Sequence, residues 1–153
     1  MHRQGSAQET SSGARLEYWR ASLQAIAEQP LFGHGAGSWN QAYLRLKGPQ
    51  VSSLHDTASD PHQLFLLWAV EGGLLGLALL CAVLAALWRY GSGLAAADGH
   101  ALQAMVLALV ISGLFNSMIY GIGMGDFFCI GLGLLAALGR RSNLLPGGQQ
   151  SQR

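Results

Sequence analysis

Residues 60–88 read DPHQLFLLWAVEGGLLGLALLCAVLAALW, and their interpretation settles the fold class. From Leu64 to Trp88 the run has 25 residues with Glu71 as its only charge. A hydrocarbon core of ~30 Å is crossed by roughly 20 helical residues, so this run is long enough to span a bilayer. Working outward, Ala101 to Ile122 forms a second apolar run, interrupted only by uncharged polar residues such as Gln103, Asn116 and Ser117. A third, Phe127 to Leu138, rises only about 18 Å as helix and must be extended backward through Gly125 and Asp126. The reading is therefore an all-α integral membrane protein with a helical outer loop and about three transmembrane helices, over about residues 64–88, 101–122 and 125–139. Composition agrees: half of the residues are hydrophobic and 11% are charged, against roughly 25% charged in a soluble domain.

The chain thus divides into a polar segment, residues 1–61, a membrane segment, residues 62–139, and a tail, residues 140–153, read as disordered and cytoplasmic. Nine Lys and Arg against eight Asp and Glu give no charge excess that would recruit nucleic acid. Cys81 and Cys129 both sit in apolar runs and offer neither a CxxC pair nor a disulfide framework. The first residues have no apolar stretch of signal-peptide type, so export of the polar segment rests on the spans that follow or on upstream helices. Arg89 follows the first span and Arg140 and Arg141 follow the third, whereas the turn around Gly121 to Gly125 has no Lys or Arg. The positive-inside rule then puts these arginines in the cytoplasm and the polar segment outside.

Within the polar segment, Ser11-Ser12-Gly13 caps an expected helix over residues 14–28 that stops before Pro30. On a wheel with Arg15 at zero, Ile26, Trp19, Leu23 and Leu16 fall at about 20°, 40°, 80° and 100°. This predicts an apolar face bordered by Arg15 on one side and Arg20 on the other. An arginine at a buried edge calls for an anionic partner. Gly33, Gly35 and Gly37 then form a glycine turn, residues 33–37, ahead of a short helix over Ser38 to Leu46, an arrangement able to cradle phosphate. The spacing is GxGxG rather than GxGxxG and no strand precedes it, so a dinucleotide fold is not supported.

His62 and Glu71 stand out because ionisable groups at or below a membrane surface cost free energy unless solvated, paired or used. His62 is suited to proton transfer near neutral pH, whereas Glu71, about seven residues into the run, reads as a polar packing residue. Gly72 and Gly76 form a GxxxG step, read as a helix-packing face. His55-Asp56 with Asp60-Pro61-His62 has the make-up of a metal cluster but lacks a supporting ligand spacing. His34 reads as a solvated loop histidine, Asn116 and Ser117 as partners in hydrogen bonds between helices, Asp126 as interfacial, and Trp88 as an anchor beside Arg89 and Tyr90.

Taken in order, SSGARLEYWRASLQAIAEQPLFGHGAGSW, DPHQLFLLWAVEGGLLGLALL and LFNSMIYGIGMGDFF resemble the C-terminal part of the O-antigen ligase and O-antigen polymerase superfamily, bacterial membrane glycosyltransferases that use polyprenyl diphosphate donors. The resemblance covers about residues 10 to 140. It implies transfer of a glycan from such a donor to lipid A core, a polysaccharide or a protein, at the outer face of the bacterial inner membrane, without metal or other cofactor. Carried onto matching positions, His62 becomes the candidate general base and Arg15 the ligand of the donor diphosphate. Arg20, Gly35 and Gly37 are helpers in that diphosphate site. Members of the superfamily have many more membrane helices, so the resemblance implies a fragment of a larger helical bundle. The alternative is a non-catalytic membrane subunit or truncated remnant of such an enzyme.

Overall fold

A computed structural model of the chain describes residues 11–47, 60–117 and 121–144. His55 and Asp56, weighed above as part of a metal cluster, lie outside those residues. Five helices follow in order: α1 (Ser11–Glu28), α2 (Trp39–Lys47), α3 (Leu64–Ser92), α4 (Ala96–Phe115) and α5 (Ile122–Leu144). Among the described residues there is no strand, and α3, α4 and α5 are each long and apolar enough to cross a membrane. The fold is all-α, and the protein is a multi-pass membrane protein. The third crossing begins well before the short apolar run, at Ile122, and continues through Arg140 and Arg141 to Leu144. Residues 140–144 are therefore helical rather than part of a loose tail, and residues 145–153 lie outside the described part. The second run ends earlier than its composition implies, at Phe115, because Asn116 Oδ1 accepts the Ser117 N–H at 2.8 Å and turns the chain out of the helix. Asn116 thus makes a local bond where an interhelical one was expected.

The chain forms two compact units. The first comprises the described residues of Met1–Ala78 with Phe115–Ser117; the second comprises those of Leu79–Leu114 and Met118–Arg153. In the first unit, α1 and α2 close on the start of α3 through Tyr18, Ala25, Trp39, Ala42, Tyr43, Leu67 and Val70. The aromatic rings give this core its shape. Trp39 stacks on Tyr43 at 5.2 Å with an interplanar angle of 8°, and Tyr18 meets both edge-on, at 5.7 and 5.3 Å. Such pairs contribute roughly 0.5–1.5 kcal/mol each beyond the area they bury. The Trp39 indole N–H donates to Ser22 Oγ at 2.8 Å, and that hydroxyl donates to the Tyr18 carbonyl at 2.8 Å, so the buried polar atoms form a chain.

This packing corrects the wheel in part. Tyr18, Ser22 and Ala25 form the buried face of α1, with Trp19 and Ile26 of the expected face packed against the same core, while Leu16 and Leu23 are 49% and 59% exposed. The two small residues let α2 approach closely enough to seat Trp39, which larger leucines would prevent, so the helix turns its leucines outward.

The loop after α1 is joined to α3 by an exchange of backbone hydrogen bonds. Gly73, at φ 64°, interrupts the helical geometry of α3 and frees four groups that would otherwise pair with each other. Val70 and Glu71 carbonyls instead accept from the His34 and Gly35 amides, at 2.8 and 2.9 Å. Leu74 and Leu75 amides donate to the Pro30 and Leu31 carbonyls, at 2.7 and 3.3 Å. Gly33 and Gly73 lie back to back at the centre: a Cβ on Gly73 would fall 2.3 Å from the Leu31 oxygen, and one on Gly33 would fall 2.5 Å from the Gly73 nitrogen. PLFGHG and EGG are thus two halves of one structural element. Gly72, read as part of a packing face, meets no neighbour within 4 Å, and a Cβ on Gly76 would meet only Trp68 of its own helix.

The second unit packs the rest of α3 with α4 and α5 in the manner of membrane helices, using small residues and a few polar ties. Gly91 and Gly99 meet at the α3–α4 turn, where a Cβ on Gly99 would fall 2.3 Å from the Gly91 oxygen. Gln103 Nε2 donates to Ser92 Oγ at 2.9 Å, and Tyr90 OH donates to the Ala136 carbonyl at 3.3 Å. Outward, Leu79, Val83, Ile111, Ile130 and Leu134 are exposed, as lipid-facing residues must be.

Candidate functional site

The site is assembled at the head of α3. Pro61 is fully buried and Leu64 is 1% exposed, which fixes the chain on either side of His62. The Gln63 side-chain oxygen accepts the Leu66 N–H and so caps the helix. Asp60 Oδ1 accepts the His62 amide at 2.8 Å, a tight turn that holds His62 at φ 52°, in the left-handed region that non-glycine residues rarely occupy. The same Oδ1 lies 3.3 Å from His62 Nδ1. A carboxylate offers only lone pairs, so this contact favours the tautomer with its proton on Nδ1 and leaves Nε2 with a free lone pair. On another side the imidazole meets Tyr18, with ring centroids 6.3 Å apart and planes at 50°. The His62 side chain is 45% exposed, so it is held yet open to a substrate.

Arg15 lies one helical turn before Tyr18 on α1, and its side chain is exposed. Arg20 is also exposed but lies about 200° around the helix from Tyr18, on the far side from the histidine's neighbour. Gly35 and Gly37 both have positive φ, 99° and 73°. The Gly35 amide is spent on the Glu71 carbonyl, so its turn is bound to α3, and a Cβ would meet nothing within 4 Å at either Gly35 or Gly37. The α2 helix starts at Trp39, and Ser38 begins its hydrogen bonding by accepting the Ala42 amide at 2.9 Å.

His34 is a structural tie rather than a solvated side chain. Its Nε2 lies 2.9 Å from the Ala25 carbonyl, which only accepts, so Nε2 carries the proton. Nδ1 is then free to accept from Arg45 Nη2 at 3.4 Å, linking the end of α1 to α2. Glu71 is half-buried at the break in α3, and Asp126 is exposed near the start of α5. Two neighbours of the histidine, Tyr18 and Asp60, were not singled out for this role from sequence. Asp60 was legible in principle, since Asp two residues before a turn residue is the signature of a side chain closing its own turn. Tyr18 was not, because the wheel turned it away from the core.

Residues 1–81 match the family model described as O-antigen ligase. The match takes in α1, the glycine turn, α2 and the Asp60–His62 junction. The chain belongs to the O-antigen ligase family. Among relatives of this O-antigen ligase family chain is an uncharacterized protein of Haemophilus influenzae, 31% identical over 83 residues. Those residues are 53% of the present chain and 21% of the relative, so the chain spans about a fifth of the length of that protein.

Proposed function

We propose that this O-antigen ligase family chain carries the acceptor-activating part of a glycosyltransferase. The enzyme would move a glycan from a polyprenyl diphosphate donor to an acceptor at the outer face of the bacterial inner membrane, in lipopolysaccharide or surface polysaccharide synthesis. The observation that carries this reading is His62, clamped on Nδ1 by Asp60 and open on its remaining face. In the proposed reaction His62 Nε2 takes the proton of the acceptor hydroxyl while that oxygen bonds to the anomeric carbon. The bond from that carbon to the diphosphate oxygen breaks, and the diphosphate leaves with the electron pair. Arg15 offsets its charge, and Arg20 and Gly37 are secondary candidates for the same anion. Lipid A core, polysaccharide and protein all present the hydroxyl this chemistry needs.

The test is glycan transfer by the corresponding full-length protein in cells lacking it. His62→Ala is expected to lower transfer by about 10²–10⁴-fold, the usual share of a general base, and Arg15→Ala to impair it as well. Normal transfer by both variants would sink the assignment. A second reading, a non-catalytic membrane subunit, draws on the exposed apolar side chains along α3, α4 and α5. It predicts association with other membrane proteins and no change of phenotype in His62→Ala.

A further inference from the structure

Burial along α3 changes at one residue. None of the ten residues from Leu64 to Gly73 is exposed, whereas thirteen of the nineteen from Leu74 to Ser92 are. The first stretch is covered by protein: Leu67 and Val70 belong to the core shared with α1 and α2, and Gly73 lies under Leu31 and Gly33. The second stretch is apolar and bare. Its nineteen residues rise about 28 Å, close to the ~30 Å of a hydrocarbon core, with Arg89 near the far end where its long side chain reaches the headgroups.

The loop after α1 meets α3 at this same residue, and its tip is apolar. Leu31 and Phe32 are 57% and 76% exposed, beside Leu74 and Leu75 at 51% and 55%. Irregular backbone is tolerated at membrane depth only where protein satisfies its polar groups. Here the Pro30 and Leu31 carbonyls and the Gly33, His34 and Gly35 amides all have backbone partners. The turn therefore presents large apolar side chains on a backbone only partly spent in this exchange; the Leu31 and Phe32 amides and the Phe32 carbonyl are not among the bonded groups, which suits a tip at the hydrocarbon boundary, within reach of headgroup water, rather than deeper.

We propose that Gly73 marks the outer boundary of the hydrocarbon along α3, and that Leu31 and Phe32, with Leu74 and Leu75, form a wedge seated in the acyl chains at that boundary. Only Leu74–Ser92 then crosses the membrane, and the Asp60–His62 junction stands on protein-covered turns outside the hydrocarbon. The wedge fixes the site against the lipid surface from which a lipid-linked donor would be presented. Its own test does not depend on glycan transfer.

The full chain, with Cys81→Ser and Cys129→Ser, is reconstituted in vesicles of phosphatidylcholine and phosphatidylglycerol, and single nitroxide labels are placed by Phe32→Cys, Leu31→Cys, Leu75→Cys, Leu79→Cys, Leu66→Cys and Leu44→Cys. Collision rates with oxygen and with a water-soluble nickel chelate report depth. The expected oxygen-to-nickel ratio at residues 31, 32 and 75 is several-fold above that at residues 44 and 66, and the ratio at 79 is higher still. Circular dichroism confirms that each labelled chain keeps its helices, and residue 31 serves if the change at 32 does not. Nickel access at 31 and 32 equal to that at 44 would overturn the wedge, as would labels there that neither reagent reaches. A label at 66 as lipid-exposed as that at 79 would overturn the boundary.

Discussion

At the scale of single residues, His62 owes its geometry to Asp60, which both closes the turn and faces Nδ1. Asp60→Asn retains an oxygen for the turn but removes the carboxylate that selects the Nδ1–H tautomer. If His62 is the base, this variant is expected to lower the turnover rate with little change in KM for the donor, and by less than His62→Ala does. An equal rise in KM with unchanged turnover would argue that Asp60 binds substrate instead. A second expectation concerns the core beneath. Ser22→Ala leaves the buried Trp39 indole N–H without an acceptor and should cost about 1–3 kcal/mol in unfolding free energy, measured by chemical denaturation in detergent. Adding Trp39→Phe to Ser22→Ala should cost less than the sum of the two single changes, since the orphaned donor is then gone. His62 was legible in the sequence because an ionisable group at the edge of an apolar run is conspicuous. Ser22 was not, since a serine inside a helix signals nothing until a partner from another helix reaches it.

At the scale of elements, composition located the apolar helices but not the break that Gly73 makes in one of them. EGGLLG has the spacing of a helix-packing motif, yet Gly73 serves a break in α3 that is mended by a loop forty residues earlier in the chain. No periodicity within either segment encodes that exchange, because each half looks like an ordinary turn or an ordinary helix until the two backbones meet. The neighbouring glycines separate the two roles. Gly73→Ala must hold a side chain at φ 64° and ψ −164°, a region essentially reserved for glycine, and push it against the Leu31 oxygen, so it is expected to cost more than the ~1–3 kcal/mol of such a backbone alone. Gly72→Ala, with open space around its Cβ, is expected to be neutral or to stabilise by about 0.5–1 kcal/mol through reduced chain entropy. Thermal unfolding of the two variants in the same detergent checks the contrast, and equal effects would remove the backbone exchange from its structural role. The same limit explains α1: a wheel ranks residues by hydrophobicity, whereas the fold chose the face on which a tryptophan fits.

At the scale of the whole molecule, three helices are long and apolar enough to cross a membrane, and charge bears on their orientation. In the second unit, Tyr90 OH reaches the Ala136 carbonyl, one turn before Arg140, so Arg89, Arg140 and Arg141 gather at one end of that unit. All three are exposed, as are Trp88 and Tyr90 beside them, a composition suited to the headgroup region. Residues 116–126, which lead from the end of α4 into α5, contain no Lys or Arg. The asymmetry was readable from sequence, but the bond from Tyr90 to the end of α5 was not, since 46 residues separate Tyr90 from Ala136. By the positive-inside rule the arginine end of the second unit is expected to face the cytoplasm. Fluorescent protein fused after Arg153 is expected to fold and fluoresce, whereas alkaline phosphatase at the same point should be inactive. Replacing Arg89, Arg140 and Arg141 together by Glu removes the bias and should produce a mixed population in which part of the phosphatase fusion becomes active. A fully active phosphatase fusion on the unaltered chain would reverse the orientation expected of the arginine end.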